Sequence, residues 1–309
     1  MAANGRTPES SGRSRRRAVT FVITREEPPL ITRFAPAPTG FLHLGHVVNA
    51  LHVWKAARDR DGQVLLRIEN HDRQRSRPEY EAAILEDLAW LGFHHDGAVV
   101  RQSDREAVYR AAIQPLIDRG LVYGCECTRT ALAAATERPS TSVGWGRELG
   151  SEVRYPNTCR ALAIPLADDV GWRLRVEPGV ERFFDEMCGP QEQDPSAQCG
   201  DLLLRDRLGN WTYQFAATVD DYLQNVTDVI RGVDLLASTG RQIRLARLLG
   251  RHVMPRFSHH PLVMKSATEK LSKSDRDTGV RDLRAAGWSA EAVLEQGRRM
   301  MSTSGNLIP

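Results

Sequence analysis

The sequence predicts an α/β fold: a covered parallel sheet interrupted by an inserted subdomain. Three observations carry this. Residues 31–68 alternate strand, loop, helix and strand. The segment Val64-Leu65-Leu66-Arg67-Ile68 is almost continuously apolar, as a strand covered on both faces must be. From about residue 121 the rhythm breaks into a polar, cysteine-containing stretch, and apolar runs resume at Leu202.

Residues 1–29 are rich in Ser, Arg and Glu and carry a basic cluster at Arg13, Arg15, Arg16 and Arg17. No apolar stretch follows, so a secretory signal is excluded, and a disordered basic tail is expected. Ile31 to Pro36 reads as a short strand. A loop with Pro36, Pro38 and Gly40 leads into a helix, because Val47, Ala50, Leu51, Trp54 and Ala57 recur on one helical face. Asp61-Gly62 ends that helix. Strand, helix and strand make a βαβ unit. A second helix buries Tyr80, Ile84, Leu88 and Leu91. A third starts at Ser103 or Asp104 as N-cap and stops at Gly120. Beyond the insertion, Leu202-Leu203-Leu204, Trp211 to Val219 and Val229-Ile230 are apolar runs. A helix spans about 239–249, closed by Gly250, and one or two helices follow residue 276. The expected organisation is a first half of the catalytic domain over 30–120, an insertion over 121–190, a second half over 191–285 and a helical tail over 286–309.

The composition is that of an ordinary globular protein, with 41% hydrophobic and 26% charged residues. A formal net charge of +3 permits an RNA partner without demanding one. No run approaches the roughly 18 apolar residues of a membrane helix. Five cysteines form no even-numbered disulfide framework, and two stand one residue apart, which suggests metal and a reducing, cytoplasmic setting.

His43-Leu44-Gly45-His46 falls where the first strand hands over to the first helix. A helix N-terminus presents unpaired N–H groups and the positive end of a dipole, so phosphates bind there. Gly45 lets a flat base or ribose approach the backbone, and the two histidines can donate to phosphate oxygens. Late in the chain, Lys270-Leu271-Ser272-Lys273-Ser274 brings two ammonium groups to a polar stretch. Fixed cations there suit a phosphoryl centre with a pyrophosphate leaving group. Read alone, either motif is equally a helix start or a solvated basic loop.

Together and in this order the two motifs resemble the signatures of class I aminoacyl-tRNA synthetases. The stretch Arg33-Phe34-Ala35-Pro36-Ala37-Pro38-Thr39-Gly40 through His46 is similar to the glutamyl branch. So are Arg67-Ile68-Glu69-Asn70-His71-Asp72, and Tyr213 through Asp220-Asp221 to Arg231-Gly232-Val233-Asp234. The resemblance covers residues 31–285. It implies a Rossmann-type catalytic domain that activates L-glutamate with ATP and Mg2+. His43, His46, Lys270 and Lys273 would be catalytic, and Gly45 and Ser272 would join them on ATP. Arg33, Phe34, Ala35, Pro36, Ala37, Glu69, Tyr213 and Arg231 would hold glutamate. Arg33 and Arg231 would clamp a carboxylate through planar forks. Glu69, at the end of a strand where α/β sheets bind ligands, would take the ammonium. Two positions depart from the family: Ala37 stands where Ser is usual, and Asn70 where Asp is usual.

Cys125-Glu126-Cys127 and Cys159 offer three thiolates, and one oxygen ligand would complete a tetrahedral zinc shell. The Tyr-x-x-x-Cys element Tyr155 to Cys159 resembles the zinc-binding insertion of short glutamyl synthetase-like proteins, which implies a structural zinc on Cys125, Cys127, Tyr155 and Cys159. Cys188 and Cys199 match no ligand pattern. About 35 residues follow Ser274, too few for the helical anticodon-binding domain of a conventional glutamyl-tRNA synthetase. The short relatives that fit are the glutamyl-Q tRNA(Asp) synthetases. They imply transfer of glutamate to queuosine in the anticodon loop of tRNA(Asp), by a monomer that needs no membrane. The alternatives are a truncated synthetase charging a tRNA 3′ end, glutamyl transfer to a non-RNA acceptor, and, least favoured, a non-catalytic RNA-binding regulator.

Overall fold

The computed structural model describes residues 1, 29–128, 130–132, 154–263 and 279–304. The basic cluster at 13–17, the polar loop at 136–153 and the Lys270 to Ser274 motif lie outside these residues.

The first parallel sheet forms as the apolar pattern requires. Strand β1 (Ile31–Phe34) feeds helix α1 (Leu44–Asp59), which returns to β2 (Gln63–Ile68). Helix α2 (Pro78–Trp90) leads to β3 (Asp96–Arg101), and the three strands pair in parallel in the order β1-β2-β3. α1 buries Val47, Val48, Ala50, Val53 and Ala57, with Leu51 and Trp54 half-buried beside them. It stops at Arg60, just before Asp61, whose φ is +47°. Gly62 follows because a Cβ there would stand 2.6 Å from both the Cβ and the carbonyl oxygen of Leu30. α2 covers the same core with Ile84 and Leu88.

α3 (Glu106–Asp118) departs from expectation at its start. Residues 102–104 form a 3-10 turn, and Arg105 rather than Ser103 or Asp104 occupies the cap. Asn70 explains this. Its amide donates to the Ser103 hydroxyl at 2.9 Å and its carbonyl accepts from the Ser103 N–H at 2.7 Å. The serine is therefore spoken for by the loop after β2 and does not cap the helix. The unusual Asn thus has a physical use, since a carboxylate cannot donate.

A second core lies under an antiparallel sheet of β4 (Val122–Cys125), β5 (Gly171–Leu174) and β8 (Leu202–Arg205). Tyr109, Trp172, Trp211 and Phe215 fill it. Of the segment read as an insertion, β4 and β5 belong to this sheet. β6 (Glu181–Asp185) instead pairs in parallel with β10 (Arg256–His260), which pairs in parallel with β9 (Asp228–Gly232). β7 (Gly189–Gln193) closes that sheet antiparallel to β6. Further helices among the described residues are α4 (Pro195–Cys199), α5 (Tyr213–Leu223), α6 (Thr239–Leu248), α7 (Val280–Ala285) and α8 (Ala290–Ser304).

The two parallel sheets meet at β1 and β9. The Thr227 N–H donates to the Ile31 carbonyl at 2.8 Å, and the Ile31 N–H donates back to Thr227 Oγ1 at 2.8 Å. From this seam the chain winds outward both ways, to β2 and β3 on one side and to β10 and β6 on the other. Such a switch point opens a crevice at the carboxyl ends of the strands.

Candidate functional site

A cavity of about 370 Å³ occupies that crevice. Arg33 and Ala35 reach it from the end of β1, Glu69 from the end of β2, and Ile230, Arg231 and Gly232 from β9. His43, Gly45, His46 and Asn49 close it from the start of α1, and Tyr213 from the start of α5.

One wall is a buried charge network. The Asp221 carboxylate accepts from Arg33 Nε at 2.9 Å and from Arg67 Nη1 at 2.8 Å through the same oxygen. Arg67 is fully buried and also donates to Gln224 at 3.0 Å and to Glu69 at 3.3 Å. Arg33 Nη1 donates to the Ile230 carbonyl at 3.3 Å, which stitches β1 to β9. Burial alone would raise the Asp221 pKa, but Arg33 and Arg67 outweigh it and hold it at about 2. The neighbouring Asp220 lies 3.9 Å from Arg67 Nε and extends the network toward α3. It accepts from Arg105 Nε at 2.7 Å, the Tyr109 hydroxyl at 2.8 Å and Gln102 at 2.9 Å. Burial, and then the Asp220 charge, push the Tyr109 phenol well above its ordinary pKa, so it serves as a donor. The outcome at the cavity is a fixed Arg33 guanidinium beside a fixed Glu69 carboxylate.

The opposite wall is Arg231. Its five N–H groups find five neutral acceptors: His259 Nε2 at 2.9 Å, Gln242 Oε1 at 2.7 Å, Thr239 Oγ1 at 2.8 Å, the Tyr213 hydroxyl at 3.2 Å and the Leu235 carbonyl at 3.4 Å. None is a carboxylate, so the charge is buried with dipoles only and is drawn to an anion in the cavity. The Tyr213 oxygen accepts from Arg231, which leaves its O–H to donate. The two longest of these bonds, to Tyr213 and Leu235, end on cavity-lining residues, so a ligand carboxylate can take those N–H groups over with the Tyr213 O–H beside it.

The start of α1 is capped by its own histidines. His43 Nδ1 accepts from the Gly45 N–H at 3.1 Å, and His46 Nδ1 accepts from the His43 N–H at 3.1 Å. A ring nitrogen that accepts carries no proton, so in each neutral ring the proton sits on Nε2. Gly45 has a second reason here: a Cβ would lie 2.9 Å from His43 Cε1 and displace the cap. His260 also lines the cavity, stacked on His52 with ring centres 4.6 Å apart. Burial holds His260 below its ordinary pKa and His52 at about 4.

About the tip of β4, the sulfurs of Cys125, Cys127 and Cys159 all lie within 4.8 Å of one another. Cys127 and Cys159 Sγ are 3.5 Å apart, and the Tyr155 hydroxyl is 3.4 Å from Cys125 Sγ. Tetrahedral Zn–S bonds of about 2.3 Å place sulfurs about 3.8 Å apart, so the donor set fits a metal ion. Arg173 Nε donates to Cys125 Sγ at 3.2 Å and its guanidinium stacks 3.5 Å from the centre of the Tyr155 ring, a cation poised to offset thiolate charge. Burial raises the Cys127 pKa to about 11, followed by the Cys159 contact.

Eight of the expected residues therefore converge on one cavity: Arg33, Ala35, His43, Gly45, His46, Glu69, Tyr213 and Arg231. Phe34 instead packs into the core against Trp54, with ring centres 5.5 Å apart. Pro36 acts through its carbonyl, which accepts from the Glu69 N–H at 3.1 Å. Pro36 and Ala37 are not among the cavity-lining residues, and Lys270, Ser272 and Lys273 lie outside the described ones. Sequence reasoning quoted Arg67 and Asp221 within the family-like stretches without giving them a role, and it did not single out Thr239, Gln242 or His259 for the site. An Asp-Asp pair within the apolar run 211–219 and its continuation was a usable signal, since buried carboxylates require partners.

The sequence model of the family described as class I tRNA synthetases (E and Q), catalytic domain, matches residues 29–307. The glutamyl-Q tRNA(Asp) synthetase of Bordetella bronchiseptica is 46% identical over 247 residues, covering 79% of this chain and 75% of its own length. The protein of that name from Rhodobacter capsulatus is 39% identical over 273 residues, covering 84% of this chain and 96% of its own. A glutamate tRNA ligase from Elizabethkingia meningosepticum, solved in complex with its amino acid, superposes with a TM-score of 0.67 at 28% identity over 81% of this chain. The chain spans 53% of that ligase.

The Asp221 network predicts acid lability. Its carboxyl titrates lower in the folded state (about 2) than its ordinary value of 3.8, so its stabilisation is present above pH 4 and is lost as pH falls toward 2. Asp221→Asn should cost about 3–5 kcal/mol at neutral pH, as breaking a buried ion pair does, and should flatten the fall between pH 4 and 2. Urea unfolding of both proteins across that range checks it. Equal midpoints at neutral pH would show that the network does not hold the wall.

Proposed function

The chain belongs to the family of class I tRNA synthetase (E and Q) catalytic domains and is a ligase; from that premise we propose that it activates L-glutamate with ATP and Mg2+ and passes the glutamyl group to queuosine in the anticodon loop of tRNA(Asp). The observation that carries the glutamate reading is the cavity itself. Two arginines and a tyrosine converge on a space that also holds a fixed Glu69 carboxylate. Such a site takes a side-chain carboxylate on Arg231 and Tyr213 and an ammonium on Glu69. A glutamine amide would place N–H donors against donors.

In this reading the α-carboxylate of glutamate attacks the α-phosphorus of ATP, and the bond to pyrophosphate breaks. The N-terminus of α1, with the imidazoles of His43 and His46 beside it, meets the phosphates. Lys270 and Lys273 supply positive charge to the leaving group, and Ser272 joins them on ATP. A hydroxyl of the acceptor then attacks the glutamyl carbonyl and AMP departs. Proximity and fixed charge supply most of the catalysis. The queuosine acceptor rests on the relatives of 39–46% identity, which carry the name glutamyl-Q tRNA(Asp) synthetase and are matched over most of their length. The second reading, charging of a tRNA 3′ end, rests on the likeness to the Elizabethkingia glutamate tRNA ligase.

Glutamate charging, with ATP, of two tRNA pools separates the readings, one pool containing queuosine and one from cells unable to make it. Label on the queuosine pool alone is the expected result. Equal label on both pools would contradict it and favour 3′-end charging.

Cys125, Cys127, Cys159 and the Tyr155 oxygen are proposed to hold one structural zinc ion, which would crosslink the β4 tip and the 155–159 segment. Elemental analysis of purified protein should find one zinc per chain, and Cys159→Ser should lower both zinc content and melting temperature. A folded, metal-free preparation would overturn the assignment.

A further inference from the structure

Three neighbouring parallel strands, β6, β10 and β9, end side by side next to the cavity. Asp185, His259 and Arg231 are buried polar residues at their carboxyl ends. His259 and Arg231 are direct cross-strand partners. The His259 ring bridges the other two, with Nδ1 at 2.5 Å from Asp185 Oδ2 and Nε2 at 2.9 Å from Arg231 Nε. Asp185 and His259 are fully buried, and neither lines the cavity.

The direction of every proton in this chain is determined. Arg231 Nε–H can only donate, so His259 Nε2 must accept. The Thr239 hydroxyl, which accepts from Arg231 Nη2 at 2.8 Å, also lies 3.2 Å from Nε2 and adds a second donor there. The ring proton therefore sits on Nδ1 and is donated to Asp185. The carboxylate is itself immobilised, because its Oδ1 accepts the backbone N–H groups of Cys188 at 2.9 Å, Met187 at 3.1 Å and His259 at 3.2 Å. We propose that His259, oriented by Asp185, is a positioning residue for the substrate carboxylate: the neutral imidazole fixes the plane of the Arg231 guanidinium and so sets the geometry of the receptor formed with Tyr213. This rests on the glutamate reading given above for the function of the cavity.

The reason is physical. A guanidinium recognises a carboxylate through its plane, so a rotation of that plane spoils the match even when the charge is retained. Burial, followed by the opposing pull of Asp185 and the push of Arg231, leaves the His259 pKa at about 4, in keeping with a neutral ring at neutral pH. A protonated or wrongly tautomerised ring would set N–H against N–H at Arg231. Positioning through a second residue is the general way in which a site fixes the groups that touch its ligand.

Three substitutions separate this role from simple packing. In Asp185→Asn, the amide oxygen is held by the three backbone N–H groups, so the NH2 faces His259 Nδ1. The ring proton moves to Nε2, where it meets two donors, as happens when the carboxylate of a catalytic triad is replaced by an amide. His259→Asn retains a donor for Asp185 but no acceptor for Arg231. His259→Gln places an amide oxygen where Nε2 stands and restores that acceptor. Glutamate-dependent ATP–pyrophosphate exchange should show KM for glutamate raised roughly tenfold or more in Asp185→Asn and His259→Asn, with KM for ATP unchanged and kcat altered far less. His259→Gln should recover most of the loss. In 15N-histidine-labelled wild-type protein at neutral pH, NMR should show His259 as the neutral Nδ1–H tautomer, and Asp185→Asn should convert it to Nε2–H.

An unchanged KM for glutamate in both disabling variants, or a wild-type ring found as Nε2–H or as imidazolium, would overturn the proposal. A wild-type protein that activates no glutamate would instead contradict the substrate assignment. The tautomer measurement would still decide whether the relay exists, so the two failures are distinguishable.

Discussion

The Asp221 carboxylate sits at the seam of the molecule, between two arginines that come from different strands. Arg33 and Arg67 approach one of its oxygens at 2.9 and 2.8 Å, and Arg33 goes on to the Ile230 carbonyl across the seam. Burying one ion costs several kcal/mol, so none of these groups could occupy its place without the others. The arrangement joins β1, β2 and α5 and leaves Arg33 and Glu69 immobile at the cavity. A site for a small charged ligand needs such rigidity, because misplacement by an ångström forfeits much of the binding and rate. The parallel sheet provides the second requirement. Its switch point between β1 and β9 puts the ends of both strands beside the N-terminus of α1. One crevice thereby gathers the Arg231 guanidinium and Tyr213 hydroxyl, the Glu69 carboxylate and the start of α1.

The two arginines are built on different principles. Arg33 is neutralised by Asp221 and projects from a salt-linked wall. Arg231 is surrounded by neutral oxygens and one imidazole nitrogen. The first stabilises the scaffold as well as the ligand. The second retains its charge for the ligand and depends on hydrogen-bond geometry to keep its plane. In the proposed reading an anionic side chain meets Arg231 and a cationic amine meets Glu69, in a cavity that Asp234 also lines.

Local patterns in the sequence were sufficient for much of this. The 3.6-residue period exposed α1 and α2, and the apolar run 64–68 exposed β2, because these elements bury faces defined within a dozen residues. The His43 to His46 motif was legible as a helix start because its own residues cap α1. The cysteine cluster was legible through the likeness of the Tyr155 to Cys159 element to a zinc-binding insertion, and the three sulfurs do come together. What escaped was set by separation along the chain. Asp221 meets Arg33 188 residues away and His259 meets Asp185 74 residues away, and no local period encodes such pairs. The start of α3 was misplaced for the same reason: Asn70, 33 residues upstream, claims the Ser103 side chain. Phe34 was grouped with the site through its neighbours in the motif, yet alternation along β1 turns it into the core while Arg33 faces the crevice.

The central claim is that the cavity selects an anionic side chain, and direct titration of L-glutamate and L-glutamine into the protein by calorimetry, at neutral pH with a non-hydrolysable ATP analogue present, tests it most simply. The two ligands share shape and differ in one charge. The account predicts saturable glutamate binding, with glutamine weaker by roughly a hundredfold or more, since an amide would leave buried donors facing Arg231 and Tyr213. Equal affinity for the two, or tighter binding of glutamine, would contradict it.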